Sequence, residues 1–261
     1  MLSVAVSALL LMTGLTAGCF GGLLGLGGAT ILVPALTLGF GLPIHLAIAV
    51  SLVSNIFVSL VAVIGYRSQG LLHSKTVRVM NIASVGGVLI GTLLAAYSPA
   101  SLLELAFGVF LVALVAEATL VKRELHMGNE KEPEHIDVPA FSALGFIMGL
   151  LGATLGIGGG SLAVPVQNSL LRVPLKNAIA NSLATIVVSA SIGSITYFLV
   201  GAGTLFPVGE SLTTAAVLVP GSVCGAMLST RVGSRVPVQY LRYLFYLVLL
   251  YIAINMIKSG L

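Results

Sequence analysis

The residues with the clearest chemical potential are two glycine-rich segments inside apolar sequence. GLGGATILVP begins at Gly25, and GIGGGSLAVP begins at Gly156. A backbone broken at such glycines frees N–H and C=O groups that cannot face lipid and must line a cavity or be buried in protein. A helix that restarts after Gly28 or Gly160 would point N–H groups and a partial positive charge into that cavity. Because glycine has no side chain to obstruct an oxyanion, the pattern predicts a binding site for a small anion.

Uncharged polar side chains follow both glycine segments at matching places and are candidates for the same site. Their hydroxyl and amide groups can recognise oxyanions without carrying a charge. Small residues, Ser and Thr are also common where membrane helices pack closely, so packing is the competing explanation for any one of them. The predicted substrate-binding residues are Gly25, Gly27, Gly28, Thr30, Ser51, Ser54, Asn55, Gly156, Gly158, Gly159, Gly160, Ser161, Asn181, Ser182 and Thr185.

The residues that other chemistries need are missing from the interior of the apolar segments. Glu104, Glu117 and Glu210 lie close to segment ends, whereas a proton relay or a cation site normally needs a buried carboxylate. Cys19 and Cys224 are far apart in sequence, with no CxxC motif and no histidine cluster. We therefore expect no metal site, no cofactor, no catalytic residue and no enzymatic activity.

Four further polar residues lie near segment ends. His45 and His73 fall in short loops, where a solvated histidine is expected. Gln167 and Asn168 follow the second glycine segment, and a polar pair there needs hydrogen-bond partners. Either this pair faces the transport pathway or it caps the loop that precedes Pro174.

The elements that position these residues occur in two copies. An offset of 131 residues aligns Gly25 with Gly156 and also aligns similar residues further along the two segments. With the offset grown to 134, GGVLIGTLL at Gly86 aligns with PGSVCGAML at Pro220. A duplicated unit of this kind predicts two structural repeats. We divide the chain into a first transmembrane repeat at 1–122, a polar cytoplasmic linker at 123–138 and a second transmembrane repeat at 139–261.

The composition predicts an all-α, polytopic integral membrane protein with no soluble domain. The chain is 57% apolar and 8% charged, whereas roughly a quarter of the residues in soluble domains are charged. A spanning helix needs about 20 mostly apolar residues. Each repeat supplies one glycine-broken segment, either re-entrant or crossing twice, and then three transmembrane helices. The segments are 2–42, 46–66, 76–97 and 101–121 in the first repeat, and 139–171, 177–200, 210–230 and 238–257 in the second.

The positive charges predict how the repeats are oriented. If each glycine-broken segment returns to its starting side or crosses twice, the repeats are inverted, and every Lys and Arg except Lys258 shares one face. That face should be cytoplasmic, with the linker on it and both termini outside the cell membrane. The net charge of +4 then reports topology, and no nucleic-acid partner is expected. Inverted repeats with broken helices place a binding site near the bilayer midplane.

The chain resembles the TauE/SafE sulfite exporter family in three features: the duplicated glycine segments ending in Val-Pro, the halves of about 130 residues and the polar linker. The resemblance covers almost the whole chain. It implies a secondary transporter of sulfur-containing anions such as sulfite, sulfonates or sulfoacetate. It leaves open which anion is carried, whether transport is export or uptake, and which ion, if any, is coupled.

Two alternatives of other classes stay open at this point. The chain is interpreted first as a transporter whose partners are a small anionic substrate and the lipid bilayer. A non-transporting accessory subunit would use the same helices to support another protein. A thiol-based redox relay would pass electrons between Cys19 and Cys224, although the two cysteines are not placed symmetrically in the repeats. Assembly as a homo-oligomer is also left open.

Overall fold

The computed structural model describes residues 3–120, 136–232 and 238–260. Most of the linker expected at 123–138 lies outside these ranges, and of its last residues Asp137 caps the helix that follows. The first half forms α1 (Val4–Leu24), α2 (Ala29–Pro34) with a π-helical turn (Ala35–Gly39), α3 (Ile44–Ser68), α4 (Ser74–Tyr97) and α5 (Ala100–Leu120). The second half forms α6 (Val138–Thr154), α7 (Gly160–Ser169), α8 (Leu175–Gly201), α9 (Val208–Val232) and α10 (Val238–Gly260).

The described residues confirm a helical, multi-pass membrane protein. Six helices are long and apolar enough to cross a membrane. Within the described ranges β-structure is limited to an isolated bridge between Ala202 and Phe206. The six segments predicted from hydropathy all form helices, namely α3, α4, α5, α8, α9 and α10. The first five of these, together with α1, are the six helices long and apolar enough to span a membrane, and a backbone surrounded by lipid must satisfy its hydrogen bonds within each such segment.

Both predicted glycine breaks are present, and each separates a long helix from a short one. Gly27 and Gly28 adopt φ of 78° and 92°, and Gly158 and Gly159 adopt φ of 70° and 78°. This left-handed backbone is unstrained only for glycine, which explains the residue type at these positions. The second short helix starts at Gly160 itself, one residue earlier than expected.

Helices of each half pack against helices of the other half. The first helix of each half packs along the fourth helix of the other, α1 on α9 and α6 on α4. The third helices, α3 and α8, contact each other and the fourth helix of the opposite half, while α5 pairs with α10. Small residues allow this close packing, which in membranes drives helix association. The central pair therefore carries residues from both halves to one place.

The helix contacts show that α4 and α9, the fourth helices of the two halves, align differently from the sequence-based prediction. A Cβ at Gly18 would overlap the carbonyl of Ser222, and one at Gly149 would overlap that of Ser84. Since Gly18 and Gly149 are repeat equivalents, Ser84 and Ser222 are equivalent too, at an offset of 138 residues. The expected offset of 134 is wrong by about one helical turn. Glycines spaced four residues apart on both α4 and α9 make the two registers look alike in sequence.

Two pairs of equivalent helices, α3 with α8 and α5 with α10, pack in an antiparallel arrangement. His45, at the start of α3, lies with its Nδ1 2.8 Å from the hydroxyl of Tyr197, near the end of α8. At the periphery, Gly108 on α5 contacts Ala253 on α10, and Gly260 contacts Ser101.

Candidate functional site

The two glycine loops, 25–28 and 156–159, approach each other between α3 and α8. A Cβ at Gly160 would overlap the carbonyl oxygen of Gly25. The Ser182 hydroxyl donates to that same oxygen at 3.1 Å. Across the interface, the Asn55 amide nitrogen donates to the carbonyl of Gly156 at 3.4 Å. Each loop is thus held by a side chain from the opposite half.

Asn55 lies at the centre of this arrangement. A Cβ at Gly27 would lie 3.0 Å from Asn55 Oδ1 and 3.3 Å from Ile186 Cδ1. A Cβ at Gly158 would lie 3.1 Å from Asn55 Nδ2 and 2.8 Å from Ile186 Cγ2. Asn55 and Ile186 are repeat equivalents, 131 residues apart. Both glycine loops therefore meet one amide from α3 and one aliphatic side chain from α8.

Unpartnered hydroxyl groups surround the loops. Thr30 and Ser161 occupy equivalent positions in the first turns of α2 and α7, and both are buried without a hydrogen-bond partner. Ser51 is fully buried one turn before Asn55 on α3, and its hydroxyl also lacks a partner. The Oδ1 of Asn55 is a further unpartnered acceptor. Buried polar groups are normally satisfied, so these four atoms mark the region as the candidate ligand site.

The region carries no charge of its own. Among the side chains that the structure describes, every Lys, Arg, Asp and Glu is at least partly exposed. An ion bound between the glycine loops would meet hydroxyls, amides and backbone dipoles instead of a countercharge. At the start of α2, the N–H groups of Ile31 and Leu32 both donate to the carbonyl of Gly28, at 3.1 and 3.2 Å, and the N–H groups before them precede the first intrahelical hydrogen bond.

Three of the predicted residues are engaged elsewhere. The Ser54 hydroxyl donates to Ser222 on α9 at 3.1 Å, so it belongs to the contact between α3 and α9. Thr185 donates to the carbonyl of Asn181 within its own helix. Asn181 itself bonds away from the glycine loops. Ser182 and the remaining predicted residues are gathered at or within a turn of the loops.

Asn181 is part of a polar cluster formed by His73, Gln167, Asn177 and Asn181. The Asn181 amide donates to Gln167 Oε1 at 3.2 Å, and its Oδ1 accepts from the backbone N–H of His73 at 3.0 Å. Asn177 Nδ2 donates to the carbonyl of Leu71 at 2.9 Å and lies 3.0 Å from His73 Nε2. The cluster therefore joins the loop after α3 to the second half.

The environments of the two histidines and of Gln167 and Asn168 differ from one another. His73 is only 3% exposed and His45 is half-buried against Tyr197, so the expected solvated histidines were wrong. Both imidazoles replace water with protein partners. Asn168 donates to the carbonyl of Val173 at 2.9 Å and caps the loop before Pro174, whereas Gln167 joins the cluster.

The two ends of the molecule differ. A groove of about 870 Å³ opens at the end where α1 and α9 begin, lined among others by Leu10, Phe40, Leu42 and Glu210. Phe40 and Leu42 precede α3, whereas the polar cluster contacts the loop that follows it. The 25 residues of α3 separate these ends by about 37 Å. The groove therefore lies at one end of α3, and the buried hydrogen bonds of the polar cluster lie at the other.

Aliphatic residues that form the walls of the site were missed. Ile48 on α3 packs against Gly156, and its equivalent Ile179 on α8 packs against Gly25. Ile186 completes the contact with Gly27 and Gly158. The repeat offset of 131 relates Ile48 to Ile179 and was the one signal in the sequence that could have found them.

Comparison with known proteins places this architecture in a family. The sequence pattern of the family described as "Sulfite exporter TauE/SafE" matches residues 10–256. The chain belongs to the TauE/SafE sulfite exporter family. This confirms the resemblance carried by the duplicated glycine segments, and it makes this TauE/SafE protein a membrane transport protein.

Individual relatives are similar over nearly the whole chain. "Probable membrane transporter protein YunE" of Bacillus subtilis is 28% identical over 274 residues, covering 97% of both chains. "Probable membrane transporter protein MJ0441" of Methanocaldococcus jannaschii is 25% identical, covering 90% of this chain and 89% of its own. "Probable membrane transporter protein MamO" of Paramagnetospirillum magneticum is 26% identical, and this chain spans only 45% of its length. No solved structure matches the chain significantly.

Proposed function

We propose that this TauE/SafE protein carries a small sulfur-containing oxyanion or organosulfonate across the cell membrane, through a site between the two glycine loops. The observation that carries the proposal is the set of orphaned polar atoms of Thr30, Ser51, Asn55 and Ser161, buried around loops that only glycine can form. The hydroxyls of Thr30, Ser51 and Ser161 can donate hydrogen bonds to an oxyanion without a countercharge. The family description, which names sulfite, supports the choice of substrate class.

The difference between the two ends supports alternating access. In such a transporter, one end opens while the other closes around a fixed central site. The groove lies at one end, and the polar cluster of His73, Gln167, Asn177 and Asn181 joins the two halves at the other. Opening the second path would break these hydrogen bonds while the glycine loops keep the substrate.

The exposed charges support an orientation for this cycle. Six of the seven basic side chains that the structure describes lie at the end of the polar cluster, and Lys258 is the exception. The six are Arg67, Lys75, Arg78, Arg172, Lys176 and Arg231. Basic residues flank cytoplasmic helix ends, so the groove faces outward in this state. The antiparallel directions of α3 and α8 fit two inverted repeats around the site.

The test is flux in proteoliposomes that contain the purified full chain. Sulfite and methanesulfonate uptake should be saturable and should exceed the uptake into protein-free vesicles. Repeating the assay with an imposed pH gradient asks whether protons are coupled. Absence of saturable flux of either anion, from protein that elutes as a single folded species, would overturn the proposed substrate class and favour an accessory role.

A further inference from the structure

The site is symmetric in its backbone and asymmetric in its chemistry. At the point where Gly27 and Gly158 converge, the first half supplies the amide of Asn55 and the second half supplies the aliphatic side chain of Ile186. The flanking positions keep their type in both halves, with Ser51 equivalent to Ser182 and Thr30 equivalent to Ser161. Asn55 is therefore the polar group that breaks the symmetry next to both loops.

The orientation of the Asn55 amide follows from its neighbour. The carbonyl oxygen of Gly156, 3.4 Å from Asn55 Nδ2, can only accept a hydrogen bond. The amide must turn its NH₂ group toward this oxygen, which directs Oδ1 to the opposite side, against Gly27. Asn55 is fully buried, and Oδ1 receives no donor within the described residues. A pure acceptor is thus left open at the site.

We propose that Asn55 is a specificity-determining residue whose Oδ1 accepts a hydrogen bond from the transported ion. The substrate is then a monoanion that carries an O–H or N–H group beside its charged oxygens, such as hydrogensulfite or a hydroxylated sulfonate. This inference rests on the proposed transport function and adds the protonation and donor content of the substrate.

The surroundings favour this class over a dianion. The hydroxyls of Thr30, Ser51 and Ser161 can donate to the charged oxygens of the ion, whereas Asn55 Oδ1 would repel them. No described charged side chain is buried near the loops to compensate a second negative charge. The hydroxyls cannot donate to Asn55 Oδ1 while they donate to the anion. An O–H or N–H group on the substrate can satisfy this acceptor instead.

The test compares 2-hydroxyethanesulfonate with ethanesulfonate, two stable monoanions that differ by one hydroxyl donor. Each competes with radiolabelled sulfite for uptake into proteoliposomes containing the full chain. We expect 2-hydroxyethanesulfonate to inhibit at a concentration about 10-fold to 100-fold lower, the ratio that one satisfied buried acceptor corresponds to. In Asn55→Leu, which has a similar volume and no acceptor, the ratio should fall to near one while ethanesulfonate remains an inhibitor.

Asn81→Leu is the matched control, because Asn81 on α4 also has an unpartnered Oδ1 and lies outside the site. It should keep the wild-type ratio. If Asn55→Leu does not fold, Asn55→Ala replaces it. Equal inhibition by both sulfonates in the wild type, or a ratio preserved after the Asn55 change, would overturn the inference while sulfite flux persists. Loss of sulfite flux in the folded wild type would instead overturn the proposed function.

Discussion

The backbone N–H of His73 donates a 3.0 Å hydrogen bond to the side-chain oxygen of Asn181, which ties the loop between α3 and α4 to α8 of the other half. The same Asn181 amide binds Gln167 on α7. At the equivalent positions of the first half, Val50 replaces Asn181 and Leu36 replaces Gln167. The polar bonds of Asn181 therefore have no counterpart at positions 36 and 50 of the first half.

Replacing Asn181 should loosen the end of the molecule that contains the polar cluster. Asn181→Ala removes the acceptor of the His73 N–H and the donor to Gln167 Oε1, and we expect the free energy of unfolding to fall by about 1–3 kcal/mol. In a background with both native cysteines replaced, a cysteine at Leu71, which is 2% exposed, should react faster with a membrane-impermeant maleimide. Asn255→Ala, which removes a bond within a single helix, should change neither measurement. Unchanged labelling at residue 71 would count against a closing role for the cluster.

Close packing of α6 on α4 should be intolerant of a single methyl group. A Cβ at Gly149 would overlap the carbonyl oxygen of Ser84, whereas a Cβ at Gly39 meets nothing within 4 Å. We expect Gly149→Ala to lower stability by about 1–3 kcal/mol, the usual range for overpacking. Gly39→Ala should leave the melting temperature unchanged or raise it slightly. Equal melting temperatures for the two variants would contradict the packing described for these helices.

The orphaned hydroxyls should matter for transport and not for stability. Thr30→Val, Ser51→Ala and Ser161→Ala each remove a buried hydroxyl that has no partner, so stability should stay constant or rise. Sulfite kcat/KM should fall by about 10-fold to 100-fold, as expected for a lost hydrogen bond to a charged ligand. Thr92→Val removes an equally buried, unpartnered hydroxyl on α4 and should leave flux intact. Normal flux in all three site variants would show that the ligand lies elsewhere.

The cysteines should be dispensable. Cys19 and Cys224 are both free thiols, on the packed helices α1 and α9. If no electrons pass between them, Cys19→Ser combined with Cys224→Ser should retain most of the wild-type sulfite flux. The comparison is made in proteoliposomes under oxidising and reducing conditions. Complete loss of activity, together with dependence on the redox state of the wild type, would favour the thiol relay.

Several features followed from the sequence because they depend on local chemistry or on the chain's own repetition. Long apolar runs predict membrane helices, since lipid forces each segment to satisfy its own backbone. The glycine breaks were visible because left-handed backbone selects glycine, and Gly27, Gly28, Gly158 and Gly159 all adopt it. The repeat offset relates most of the candidate residues of one half to those of the other.

The tertiary structure decided which of those residues meet. Membrane helices are apolar on all sides, so hydropathy does not reveal which face turns inward or which helix lies opposite. Contacts between residues distant in sequence determine three features that the sequence did not reveal. These are the packing of helices of one half against the other, the one-turn shift in the alignment of α4 and α9, and the burial of His73. Asn55 was one candidate among many in the sequence, and only the antiparallel crossing of α3 and α8 brings its amide between two glycine loops.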